Sequence, residues 1–347
     1  MKKNILVLFG GCSPEYPISL KSAYGILTHI NTDKYNVLAM GITKDGRWLR
    51  FDGDYGEILA DTWQQNHKQC TPAFLSPDRS VHGIGELKEK GLTFTYVDAV
   101  FPVLHGKNGE DGSVQGLADL AGIPIIGCGT LSSALCMDKY RAHQVVSLAG
   151  VKVPEAAYFD HKPTTEALYE ETNALAYPLF VKPLRAGSSF GISKIAEKAQ
   201  LAEAVELAFQ YDSEIIVEES IEGFEVGCSV LGNDQLILGR VDEIELSHGF
   251  FDYHEKYTQK TAKIHMPARI DAATEERIRE AAAKIYRALA CSGFARVDMF
   301  LTPSGEIVFN EVNTIPGCTD CSRFPNMLQG IGMDYSAVVE KLISQEM

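Results

Sequence analysis

The sequence predicts an α/β unit followed by α+β segments, and three observations point there. The 347 residues exceed one ordinary core and suit two or three compact units. Apolar runs alternate with helical patterns at the start of the chain, as in a parallel sheet covered by helices. After residue 130 the runs come in consecutive pairs, as in antiparallel sheet.

Residues 4–9 (NILVLF) form an apolar run that ends at Gly10 and Gly11 and reads as a buried first strand. A helical pattern follows, with Ser19 as its cap and Ala23, Ile26, Leu27 and Ile30 on one face. VLAMGI (37–42) and VDAVFPVL (97–104) read as strands, and the second leads into the loop HGKNGEDG. IPIIGC (123–128) reads as a further strand. Helical patterns at 133–149 and 164–174 precede the strand YPLFVKP and the Gly/Ser-rich RAGSSFGIS. EIIVEES reads as a strand, and EVGCSVLG with LILGRVDEIE as an antiparallel pair. An amphipathic helix near 272–290 leads to ARVDMFL and EIVFNEV, joined by the turn TPSGE. Unit boundaries fall near 130 and 223, giving segments 1–130, 131–223 and 224–347.

A net charge of −14, from 32 basic and 46 acidic residues, argues against a nucleic-acid partner. No apolar stretch is long enough for a transmembrane helix, and the short N-terminal run lacks a cleavage site, so a cytoplasmic enzyme is expected. The eight cysteines read as reduced. Cys318 and Cys321 form a lone CxxC without the second pair that a structural zinc needs.

Three constellations carry chemistry. Asp298 lies in ARVDMFL, and Glu311 and Asn313 lie two apart in FNEVN, so those two share a strand face that a hairpin would set against Asp298. Two carboxylates and an amide oxygen suit Mg²⁺ bound with substrate phosphates. Lys139 opens a helical stretch, and Lys182 precedes a loop in which Gly187, Ser188, Ser189 and Gly191 let backbone N–H groups approach phosphate. In VEESIEGFEVG, Glu218 ends a strand and Glu225 lies seven residues on, where an acid can accept from ribose hydroxyls. No GxGxxG or Walker pattern is present; Gly10-Gly11 is followed by Cys-Ser-Pro-Glu, which argues against a dinucleotide oxidoreductase.

GGCSPE, HGKNGEDGSVQG, KPLRAGSSFG, ARVDMF and NEVNTIPG, in this order, resemble the ATP-grasp superfamily. Within it they resemble the D-alanine–D-alanine ligases and their vancomycin-resistance relatives, nearest the D-alanine–D-serine ligases of the G type. The resemblance spans about residues 3–345. It implies an ATP-grasp fold with an N-terminal Rossmann-like domain, and a reaction in which ATP phosphorylates the carboxylate of a first D-amino acid before the amine of a second attacks.

The roles it implies follow residue by residue. Glu15 binds the first ammonium and joins Ser188 and Tyr257 in a hydrogen-bonded triad. His105 lies beside that substrate. Lys139, Lys182, Ser189, Glu218, Glu219, Ile221 and Glu225 bind ATP, and Lys256 reaches the transferred phosphate. Arg296 and the N–H of Gly317 hold the tetrahedral oxyanion. Asp298, Glu311 and Asn313 hold two Mg²⁺, for which Mn²⁺ could substitute. Ser322 and Arg323 bind the second substrate. A homodimer is implied.

Tyr257 matches the dipeptide-forming members, where lactate-using relatives carry histidine. Arg323 stands where alanine-specific members have leucine. Its donors can bond a substrate hydroxyl, which favours D-serine. An Arg323 turned onto an acid would leave D-alanine as the alternative. A non-catalytic nucleotide-binding protein is the rival of another class. Pro17, Ala186, Asp320 and Cys321 depart from what many relatives carry.

Overall fold

The computed structural model describes residues 2–187, 190–246 and 262–347. Ser188, Ser189, Lys256 and Tyr257 lie outside the described residues. Three sheets organise the chain. The first has the order β6-β5-β4-β3-β2-β1-β7, with β1 (Lys3–Gly10), β2 (Tyr35–Ile42), β3 (Trp48–Phe51), β4 (Cys70–Leu75), β5 (Gly83–Lys88), β6 (Gly91–Tyr96) and β7 (Ala99–Leu104). Only β2-β1-β7 is parallel; β3 to β6 form an antiparallel meander. The expected strand at 123–128 is reduced to one parallel bridge, Val100 to Ile125.

Helix α1 (Tyr16–His29) packs on this sheet. Its N-cap is Glu15 rather than Ser19. Ser19 lies inside the helix, fully buried, accepting from the N–H of Gly10 and donating to the carbonyl of Val103. It therefore ties α1 to β1 and β7. Pro17 sits in the first turn, where its missing N–H costs nothing. The remaining helices of this part are α2 (Tyr55–Leu59) and α3 (Ser113–Ala121). The helical pattern read at 133–149 is split into α4 (Thr130–Met137) and α5 (Lys139–Leu148), because Asp138 leaves the helical region and caps α5 through the N–H of Arg141.

The second sheet, β10-β9-β11-β8, is antiparallel. It uses β8 (Ala156–Phe159), β9 (Leu179–Pro183), β10 (Ser193–Ile195) and β11 (Ile215–Glu219), with α6 (Thr165–Glu171) and α7 (Leu201–Ala208) closing its own core. The third sheet, β14-β13-β12-β15-β16, is also antiparallel. Its strands are β12 (Phe224–Leu231), β13 (Ile237–Leu246), β14 (Ala262–His265), β15 (Phe294–Leu301) and β16 (Ile307–Asn313). The amphipathic α8 (Ala272–Ala288) buries Ile278, Ala282 and Ile285 against it. Helices α9 (Arg323–Gln329) and α10 (Tyr335–Ser344) carry Phe324, Leu328, Val338 and Leu342 into a core shared with Ile5, Val7 and Phe101 of the first sheet. That shared core fixes the first and third sheets against each other.

Candidate active site

The paired strands β12–β13 and β15–β16 place four residues in one row: Asp242, Gly227, Asp298 and Glu311. Glu225 and Arg296 lie two residues from Gly227 and Asp298, and Asn313 two from Glu311, so all three face the same way. The register slips after Asp298, which pairs with Glu311, while Met299 pairs with Phe309. Asn310 is thus a bulge residue. In a regular strand Phe309 and Glu311 would share a face; the extra residue sends Phe309 into the core and Glu311 towards the opposite side. His143 of α5 steadies the bulge through Nε2 and the Asn310 carbonyl at 2.9 Å.

The row faces a cleft of about 820 Å³ between the three sheets. Glu15, His105 and Glu110 line it from the first part of the chain, and Lys139, Ala186 and Gly187 from the middle. Glu225, Arg296, Asp298, Glu311, Asn313, Gly317, Ser322 and Arg323 line it from the last third. A Cβ on Gly187 would come within 2.8 Å of Glu15 Oε2, so the Gly-rich loop begins against that carboxylate. Lys139 Nζ donates to the Ala186 carbonyl at 3.0 Å, at the same loop.

Lys182, Glu218, Glu219 and Ile221 do not line the cleft. Lys182 and Glu218 form a buried ion pair across β9 and β11. Glu219 Oε1 accepts from the Glu155 N–H, and Ile221 lies in the turn between β11 and β12.

Asp298 is buried among cations. Arg296 contacts both its oxygens at 2.9 and 3.1 Å through Nε, and Asn313 Nδ2 donates to Oδ2 at 2.9 Å. Among the described residues no three His, Cys, Asp or Glu side chains form a metal cluster. The donor set of Asp298, Glu311 and Asn313 fits a hard divalent ion that completes its shell with phosphate and water oxygens.

Arg323, at the start of α9, lies over Gly227, where a Cβ would come within 2.3 Å of its Nη2. Its guanidinium holds Asp242 at 2.7 and 2.8 Å, Glu225 at 3.0 Å and Asp298 at 3.3 Å. Of the three acids that Arg323 meets, Asp242 is the one the sequence reading did not single out. Ser322 Oγ accepts from the Thr319 N–H at 3.0 Å, and a Cβ on Gly317 would meet that oxygen at 3.1 Å.

Glu110 and Ser22 also escaped the sequence reading. Glu110 Oε2 accepts from Gly106 N–H at 2.9 Å and Oε1 from Ile315 N–H at 3.0 Å. Burial and the neighbouring Glu15 carboxylate push its carboxyl up to about 8, against the pull of those N–H groups and Arg296. Burial holds the His105 imidazole below its ordinary range, hence neutral, despite Glu15 and a hydrogen bond to the Ile315 backbone. Of the CxxC pair, Cys318 is buried and Cys321 exposed, and all eight cysteines are free.

Family models described as D-ala D-ala ligase N-terminus and C-terminus match residues 4–128 and 145–344. The vancomycin B-type resistance protein VanB of Enterococcus faecalis is 44% identical over 99% of this chain and 98% of that protein. A D-alanine–D-alanine ligase of Caldicellulosiruptor bescii is 41% identical over 99% of this chain and 94% of that protein. The crystal structure of the VanG D-Ala:D-Ser ligase from Enterococcus faecalis superposes with a TM-score of 0.94 at 58% identity, covering 100% of both chains.

Proposed function

Because the chain belongs to the D-alanine–D-alanine ligase family, and is therefore an ADP-forming, ATP-dependent ligase of D-amino acids on an ATP-grasp fold, we propose that it joins D-alanine to D-serine through a D-alanyl phosphate. The convergence of Glu15, Lys139, Arg296, Asp298 and Glu311 on one cleft carries this reading. A volume of about 820 Å³ suits a nucleotide tail and two small amino acids.

In this reading Glu15 accepts from the ammonium of the first D-alanine, beside His105. Lys139 and Lys182 bind phosphates; Lys182 would first have to exchange its Glu218 partner for them. Glu218, Glu219, Ile221 and Glu225 serve the adenine and ribose, and Ser188, Ser189, Lys256 and Tyr257 complete the site. Mg²⁺ held by Asp298, Glu311 and Asn313, in two ions, supplies positive charge to the phosphates when bound. ATP transfers its terminal phosphoryl to the carboxylate. The second amine attacks the acyl carbon and loses a proton, and the C–O bond to phosphate breaks. Arg296 and the Gly317 N–H stabilise the negative oxygen at that step. The segments divided near 130 and 223 act as three units.

D-Serine is preferred because Arg323 faces the cleft with one Nη1 N–H beyond its bond to Glu225, and because the 58% identical neighbour is described as a D-Ala:D-Ser ligase. D-Alanine is the second reading, favoured by the three acids that already hold Arg323. The product serves peptidoglycan precursor synthesis in the cytoplasm and vancomycin resistance, the role in VanB's name. A homodimer is part of the proposal. Phe74, Leu87, Leu92, Phe94 and Tyr96 support it, sharing one exposed face of β4 to β6. Purified protein given ATP, Mg²⁺ and equal D-alanine and D-serine should yield mainly D-alanyl-D-serine. Mainly D-alanyl-D-alanine would replace the first reading with the second; no dipeptide at all would remove both.

A further inference from the structure

The segment Ile315–Cys318 crosses the cleft between β16 and α9 and contains Gly317. It has no regular secondary structure of its own to fix its backbone. Its ends are nevertheless gripped, and much of the grip comes from the first part of the chain. At Ile315 the N–H is taken by Glu110 Oε1 at 3.0 Å, and His105 hydrogen-bonds the same residue's backbone. At Cys318 the N–H is taken by Ser22 Oγ at 3.2 Å, and the carbonyl accepts from the Tyr335 hydroxyl. Ser22 Oγ also lies 3.3 Å from His105 Nε2, so the two anchor points are joined.

Glu110 is itself well fixed. Its N–H returns to the Gly106 carbonyl at 2.9 Å while its second oxygen takes the Gly106 N–H. Asp111 accepts from the N–H groups of Asn108 and Ser113, and Gln115 Nε2 donates to the Gly109 carbonyl, which stiffens the loop from both sides. A carboxyl group whose two oxygens each take an N–H from a separate loop staples those loops together.

We propose that Glu110, with Ser22 at the other end, is a positioning residue that aims the Gly317 N–H at the oxyanion formed when the second amine attacks. This inference rests on the ligase reading and deepens it. The anchors of Glu110 are Gly106 and Ile315 rather than the nucleotide lysines, so its loss weighs more on the oxyanion step than on phosphorylation of the first carboxylate. Its loss therefore divides the two half-reactions. A backbone donor displaced by a fraction of an ångström loses its contact with the transition state but not the bound substrates.

Glu110→Gln is close to isosteric, but it sets an amide N–H against one of the two backbone donors. The expected result is a fall of about 10- to 100-fold in the kcat for dipeptide. Exchange between the bridging and non-bridging oxygens of isotopically labelled ATP, run with D-alanine alone, stays within about threefold of the parent. Ser22→Ala, which removes the other anchor, gives the same division, and serves if Glu110→Gln does not fold. Equal losses in exchange and dipeptide synthesis, or no loss in either, overturn the proposal. If the parent protein makes no dipeptide, the ligase reading itself falls, and this inference with it.

Discussion

Gly227 sits between two aspartates, and only a residue without a side chain leaves room there for the Arg323 guanidinium. The motif around Arg323 marked it as a candidate for binding the second substrate. Its partner Asp242 was not legible, because that residue lies 81 positions away and only the β12–β13 pairing brings it near. Arg323→Leu should shift the product of the mixed-substrate assay towards D-alanyl-D-alanine. It should also lower stability by about 3–5 kcal/mol, because it strips the cation from buried Asp242 and leaves Asp298 to Arg296 and Asn313; denaturant titration reads this. An unchanged product ratio would remove Arg323 from second-substrate selection. Glu110 carries a different signature. Its carboxyl titrates near 8 in the fold, above the ordinary carboxylate value, so the folded state binds the extra proton between those limits. Stability should therefore fall as pH rises from about 4.5 to about 8 and then level. In Glu110→Gln, with Glu15, His105 and Arg296 still facing the site, that decline should be shallower. Identical slopes in the two proteins would contradict the placement.

The elements most legible in the sequence were those with one periodicity sustained. The continuous apolar runs of β1, β2 and β7 are buried on both faces and stand where they were read. The β15–β16 hairpin also formed as read. The meander β3 to β6 was missed because its strands are short and much of β6 is exposed, leaving no alternation to detect. Ser19 looked like a cap from its residue type, but a hydroxyl that bonds two neighbouring strands holds a helix interior as well. The bulge at Asn310 could not be read at all, since it is a property of pairing rather than of one strand. It decides which way Glu311 faces. Asp298→Asn tests the hairpin's role directly. Removing one anionic ligand should reduce Mg²⁺-dependent ADP release by at least about 100-fold. A variant within a few-fold of the parent would mean that the hairpin holds no metal.

At the scale of the whole molecule, a chain with a net charge of −14 concentrates a few cations where phosphates would lie. Lys139, Arg296 and Arg323 all line the cleft, and the two arginines meet at Asp298. Among the described residues no helix is long and apolar enough to cross a membrane. What the sequence could not supply was distance, namely that residues 15, 105, 110, 139, 296 and 311 line one space. In the proposed reading that convergence activates a carboxylate, so the most direct test follows one oxygen atom. D-Alanine labelled with ¹⁸O in its carboxylate, turned over with ATP and D-serine, should deliver one labelled oxygen to the released inorganic phosphate. Phosphate that is released without the label would mean that water, not the amino acid, receives the phosphoryl group, and would contradict the acyl-phosphate account.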